Sequence, residues 1–136
     1  HEKNIKVYNM DTYMKVGTLM KTAKILAWIG LFAMTVALLN GFINGDFFED
    51  GSLILNNPWG IVSLVDLYVG FMLFAMWICF REKTWTISLL WIVALMVLGF
   101  FTGSLYVLVV LYKSKNDWLT FFLGSKKEKL LHKDIS

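Results

Sequence analysis

From Ile25 to Phe80 the chain contains no lysine and no arginine. Soluble domains scatter charge over their whole surface, with about a quarter of residues charged. A stretch this long without a cation is what a bilayer demands. The basic residues fall in three places: five up to Lys24, then Arg81 and Lys83, then six from Lys113 to Lys133. Across 136 residues, 57% are hydrophobic and only 17% charged. The expectation is one all-α domain over 1–136, integral to a membrane.

Three apolar runs stand out, about 22–43, 58–80 and 84–112. The first two match a hydrocarbon core of roughly 30 Å at 1.5 Å per residue. The third would be about 44 Å long as a straight helix. It is too short for two spans, so it reads as one long, tilted or kinked helix with Gly99 and Gly103 as soft points. Before them lies a polar segment, 1–20, in which Asp11 or Thr12 is placed to cap a helix. Asn56 or Asn57 caps the second span, with Pro58 suited to its first turn. The segment 44–58 carries Asp46, Glu49 and Asp50, and Phe47, Phe48 and Leu53–Leu55 suit an interfacial position. A basic tail, 113–136, follows the third run. In it Trp118, Leu119, Phe121, Phe122 and Leu123 beside lysines resemble an interfacial anchor.

The loop 44–58 has no Lys or Arg and belongs on the translocated side. The N-terminus and Arg81–Lys83 are then inside, and three spans carry the C-terminus outside. That places six lysines on the translocated side, a conflict eased if the tail docks on a partner.

Asp66 is the one ionisable residue deep in an apolar run. It lies eight residues into the second span, about 12 Å from the loop by helix rise. Layer arithmetic puts Thr35, Thr102 and Ser104 at its depth, with Asn40 nearer the loop and Ser63 and Gly70 on its own face. No Lys or Arg shares the layer, so Asp66 must be hydrogen-bonded, neutralised or liganded. Three roles stay open: a hydrogen-bond hub, a ligand for a pigment metal, cation or lipid head group, and a titrating relay. Asp66 or Asn40 could meet a chlorophyll magnesium through oxygen, a hard ligand for a hard cation. Ala33, Ala37, Gly41 and Gly45 form a small-residue stripe, and Gly70, Gly99 and Gly103 offer further close approaches. These suit packing within the chain or against a neighbouring subunit.

Other chemistry lacks its residues. The two histidines, His1 and His132, lie in the polar tails, so no haem is expected in the apolar region. Cys79 is the single cysteine, which excludes an intrachain disulfide and a Cys-based metal site. No nucleophile elbow, zinc-protease motif or phosphate-binding glycine loop is present, so no catalytic residue and no metal site are assigned. No pattern points to nucleic acid.

The runs "NPWGIVSLVDLYVGF", "WICFREKTW" and "GFFTGSLYVLVVLY" resemble a family of uncharacterised small integral membrane proteins of plants, algae and some bacteria, grouped under a domain of unknown function. The resemblance covers about residues 22–124. It implies three membrane helices and no assigned activity, and it marks Asn57, Pro58, Asp66, Tyr68, Arg81, Glu82, Ser104 and Tyr106 as pattern positions. The expectation is a non-catalytic accessory or scaffold subunit whose partners are other membrane subunits and lipids, holding lipid or pigment. The expected host is an energy-transducing complex, photosynthetic or respiratory, in the thylakoid or mitochondrial inner membrane. The alternative is a small oligomeric transporter or proton-conducting protein using Asp66.

Overall fold

The computed structural model describes the backbone of residues 2–133 and the side chains of 14–132. Among the described residues the chain is all helix. The order is α1 (Glu2–Asn44), α2 (Phe47–Leu55), α3 (Pro58–Arg81), α4 (Trp85–Leu98), α5 (Phe100–Lys113), α6 (Trp118–Leu123), a 3-10 turn (Gly124–Lys126) and α7 (Lys127–Lys133).

Local chemistry sets most of these boundaries. Helix α1 runs Glu2–Asn44, so Asp11 and Thr12, whose side chains lie outside the described residues, fall within the helix and not at its start. At α2 the Asp46 carboxylate accepts from Phe48 N at 3.0 Å and Glu49 N at 3.2 Å, and Asp50 accepts from Asp46 N at 3.0 Å. The exchange satisfies donors that a helix N-terminus leaves free. Asn57 rather than Asn56 caps α3, accepting from Trp59 N at 2.9 Å, and Pro58 opens the first turn, where its missing N–H costs nothing.

Two helices are long and apolar enough to cross a membrane: Met14–Asn44, with mean hydropathy 2.0, and Pro58–Arg81, with 2.1. The run expected as a third span is not one helix. It breaks at Gly99, where φ +65° and ψ −147° fall in a region that side chains exclude. Around that break the chain turns back on itself. Thr102 Oγ1 donates to Ala94 O at 3.0 Å, and the Trp91 and Tyr106 rings lie 5.0 Å apart. In a continuous helix Trp91 and Tyr106 would be separated by about 22 Å. Both pairs centre on Gly99, so α4 and α5 form an antiparallel hairpin with arms of 14 residues each. A phenyl ring seals the turn: Phe100 packs on Phe71 (centroids 5.1 Å) and Phe74 (6.0 Å) of α3.

The return arm α5 runs down α1. Gly99 faces Met34, Gly30 faces Ser104, Trp28 Nε1 donates to the Tyr112 hydroxyl at 3.2 Å, and Lys24 reaches Asn116 at 3.4 Å. A methyl on Gly30 would stand 2.9 Å from Ser104 Oγ, so the two helices cross closely here and a larger residue would turn the Ser104 hydroxyl aside. The buried seam of α1 is Met20, Ala27 and their neighbours Ala23 and Leu31. Its spacings of three, four and four keep one stripe of the helix facing its partner.

The hairpin therefore returns the C-terminal segment to the end of the bundle that holds Val16–Lys24 and Arg81. The acidic segment 44–58 lies at the other end. This corrects the expected exit of the C-terminus beside the acidic loop. A 14-residue arm, about 21 Å long, reaches the hairpin tip and goes no further.

Candidate functional site

Three features result, one at each level of the bundle. At the basic end, Arg81 is the buried charge of α3. Its Nε donates to Phe121 O at 2.7 Å and its Nη2 to Thr120 O at 3.2 Å. Its Nη1 lies 3.5 Å from Glu82 Oε1, the oxygen that accepts the Tyr106 hydroxyl at 2.8 Å. Trp77 Nε1 donates to Phe122 O, and Ser125 Oγ to Arg81 O. Phe74, Trp77, Trp91 and Phe121 close around Tyr106 and this network. Carbonyls at the end of α6 thus satisfy the guanidinium, which a buried cation requires. Arg81, Glu82 and Tyr106 were marked as pattern positions without a reason; here they form one unit. Their signal in sequence is the charged pair at the end of an apolar run, where a buried Arg needs partners from elsewhere. A second tie is solvent-facing: Lys127 pairs with Asp117, and with the Thr120 hydroxyl it holds the Asp117 carboxyl down at about 2. An exposed pair of this kind stabilises weakly, so Arg81 is the stronger tether.

At mid-depth is Asp66. Gly70, one turn further along α3, lies against Phe100 at the hairpin tip, 3.8 Å from where its Cβ would be. Asp66 is on that same side, one turn beyond the tip. The hairpin stops short of it, and its side chain is exposed. Among the described residues no group donates a hydrogen bond to it. Its expected neighbours are elsewhere. Thr102 and Ser104 are in the return arm, below the tip, because the run reverses at Gly99. Thr102 donates to Ala94 O, Thr35 to Leu31 O at 2.7 Å, and Ser63 to Trp59 O at 3.0 Å. Asn40 accepts from Asn44 Nδ2 at 2.7 Å. None of these groups bonds to Asp66, although Ser63 lies one turn from it on α3. It also shows no group of three or more His, Cys, Asp or Glu placed to hold a metal among the described residues.

At the acidic end the two long helices stand apart. Helix α1 runs about 15 Å beyond Met34 and α3 a similar length before Gly70, with no hairpin between them. An open cavity of about 770 Å³ fills the gap. Ala37, Gly41, Leu64 and Tyr68 form its walls, Val97 its floor, and α2 its roof, where Ser52 and Asn56 supply polar groups. Of the small-residue stripe, Ala37 and Gly41 line this cavity, Ala33 is exposed, and Gly45 sits at the loop against Gly41 O and Asp50. Gly103 packs on the Phe100 ring at the hairpin.

Fold and site together define a small all-helical protein built on two long apolar helices, one half-length hairpin and a capped basic end. The chain belongs to the family described as protein of unknown function DUF1475, whose profile matches residues 17–120. No curated protein and no solved structure matches it.

Replacing Arg81 by Met keeps the bulk of the side chain, removes the guanidinium donor from Phe121 O and leaves Thr120 O with the Gly124 N–H alone. The expected cost is about 3 kcal/mol, since each hydrogen bond to a charged group contributes roughly 1.5–3 kcal/mol. Tyr106→Phe removes a bond to the Glu82 carboxylate and should cost about 1.5–3 kcal/mol. Hydrogen exchange checks the assignment: in Arg81→Met the amides of Trp118–Leu123 should lose protection while those of α3 keep it. Unchanged protection in α6 would refute the tether.

Proposed function

We propose that this chain is a non-catalytic subunit of a larger membrane assembly. In this reading α1 and α3 span the bilayer and α4–α5 is a re-entrant hairpin entering from the basic side. Low burial supports the bilayer placement: 6% and 11% of the apolar windows of the two long helices are covered within the chain, unlike the core helix of a soluble bundle. Charge supports the orientation. Every Lys and Arg of the described residues belongs to the end with the termini and Arg81–Lys83, and the opposite segment carries Asp46, Glu49 and Asp50. The rule that basic loops stay on the non-translocated side then puts the acidic loop across the membrane. The non-helical backbone at the hairpin tip is partly covered by Phe71 and Met34, as backbone at membrane depth requires.

The observation that carries the subunit reading is the exposed, unpartnered Asp66. An acidic side chain on the lipid face of a spanning helix costs on the order of 2.5–3.5 kcal/mol or more. A partner that donates to it removes that cost. A second copy offers no cation at this depth, because the chain has none between Lys24 and Arg81. A second copy can offer only neutral donors, so full pairing of an ionised Asp66 calls for a different chain with a cation at that layer. Ser63, one turn before Asp66 on α3, is small and exposed and keeps the surface low on the side away from the hairpin tip. A second reading, a small oligomeric ion or proton conductor that titrates Asp66, draws on the half-length helices, since broken helices border the pathways of many transporters.

Isolation from the native membrane in mild detergent separates the two. The subunit reading expects co-migration with a large complex and release of an otherwise folded Asp66→Lys variant from it. A monodisperse small oligomer of this chain alone would overturn the subunit reading and favour the conductor. The absorption spectrum of the same fraction reads any bound pigment and so the kind of host.

Sidedness is checked with cysteines placed singly at Lys21, Ser52 and Lys129 in a Cys79→Ser background, labelled by an impermeant maleimide in sealed vesicles. Lys21 and Lys129 sites should react from one side and the Ser52 site from the other. A Lys129 site that reacts with the Ser52 side would restore a third full span.

A further inference from the structure

We infer that the cavity at the acidic end is a binding site for an uncharged, hydroxyl-bearing glycerolipid. Its acyl chain would point toward Val97 and its head group lie beneath α2. The inference assumes that the chain resides in a bilayer and does not depend on the subunit reading.

The first argument is the polarity gradient. The wall and floor are apolar, with Leu64, Val97 and the small residues Ala37 and Gly41, which hollow out the α1 side. Apart from the Tyr68 hydroxyl in the wall, the polar side chains of the lining are Asp50 and Ser52 on α2 and Asn56 at its end, all at the solvent end. A cavity that is apolar at depth and polar at its mouth suits an amphiphile better than a wholly apolar or wholly polar molecule. Its volume, about 770 Å³, is within the range of small-molecule sites.

The second argument is charge. Nothing from Ile25 to Phe80 can neutralise an anion. Asp50 is at the roof, with Glu49 and Asp46 beside it on the same short segment. Phosphate or carboxylate head groups would meet like charge there, at a cost that grows as water is excluded. A fatty acid, a phosphatidate or a phosphatidylinositol is thereby disfavoured.

The third argument is hydrogen-bond supply. Asp50 uses Oδ2 for Asp46 N, leaving its other oxygen; Asn56 turns its amide nitrogen toward Ser52 Oγ at 3.5 Å, leaving its carbonyl oxygen. The roof thus offers acceptors alongside the Ser52 hydroxyl and a second Asn56 N–H, and the matching head group must both donate and accept. The free hydroxyls of a glyceride do this without bringing charge.

The test uses the purified full chain in detergent, with mono-oleoylglycerol as the probe and oleate at pH 8 as the anion of the same chain length. Melting temperature is followed against ligand concentration, and a ligand that binds the folded state raises it in a saturable way. Mono-oleoylglycerol should bind at least about tenfold more tightly than oleate. Gly41→Leu fills the cavity from a position with no atom within 4 Å of its Cβ, so the variant should fold and lose the saturable shift. Ser52→Lys places a cation at the roof and should reverse the preference, favouring oleate. Equal or tighter binding of oleate by the native chain would overturn the inference. So would an undiminished shift in Gly41→Leu, or no change of preference in Ser52→Lys.

Discussion

The reversal at Gly99 is the constraint on which the rest of the structure depends. One residue with φ +65° and ψ −147° converts an apolar run of helix length into two arms. Any side chain there would oppose the backbone. The turn is held by groups that only a reversed chain brings together: the Thr102 hydroxyl on Ala94 O, Trp91 on Tyr106, and Phe100 wedged on Phe71 and Phe74. These are short-range contacts between arms joined by a single residue, so closing the loop costs little entropy.

Each other feature is a consequence of arm length. Fourteen residues lift the tip only to the level of Met34 and Phe71, so the far halves of α1 and α3 are left without a filling element. The gap becomes the cavity, and the uncovered side of α3 becomes the exposed surface around Asp66. The return arm delivers the chain to the basic end, where Arg81 takes two carbonyls of α6 and Glu82 takes Tyr106. The segregation of charge, cations at one end and carboxylates at the other, is built by the same turn.

Much of the framework was legible in the residues. The two long helices follow from uninterrupted apolar composition, the α3 start from Asn57-Pro58, and the α2 start from Asp46 ahead of an apolar run. The reversal was not legible as such, because glycine in a long apolar helix reads equally as a kink. A warning was nevertheless present: one continuous helix carried six lysines to the side of the acidic loop, against the usual charge rule. Placing Asp66 beside Thr102 and Ser104 rested on that same continuous helix and changed with it. Within the chain the α1 face opposite α5 carries Ala23, Ala27 and Gly30, and the even stripe of Ala33, Ala37 and Gly41 lies beyond that contact. Sequence spacing gives the face of one helix and leaves the choice of face to the partner.

The most direct measurement is the separation of the two ends of the 84–112 run. Spin labels on Trp85→Cys and Lys113→Cys in a Cys79→Ser background occupy exposed sites at the open ends of the arms. A hairpin holds them at the spacing of two packed helices, roughly 10 Å between axes, plus the reach of the labels. A distance distribution centred near about 42 Å, the length of an unbroken helix between them, would contradict the account.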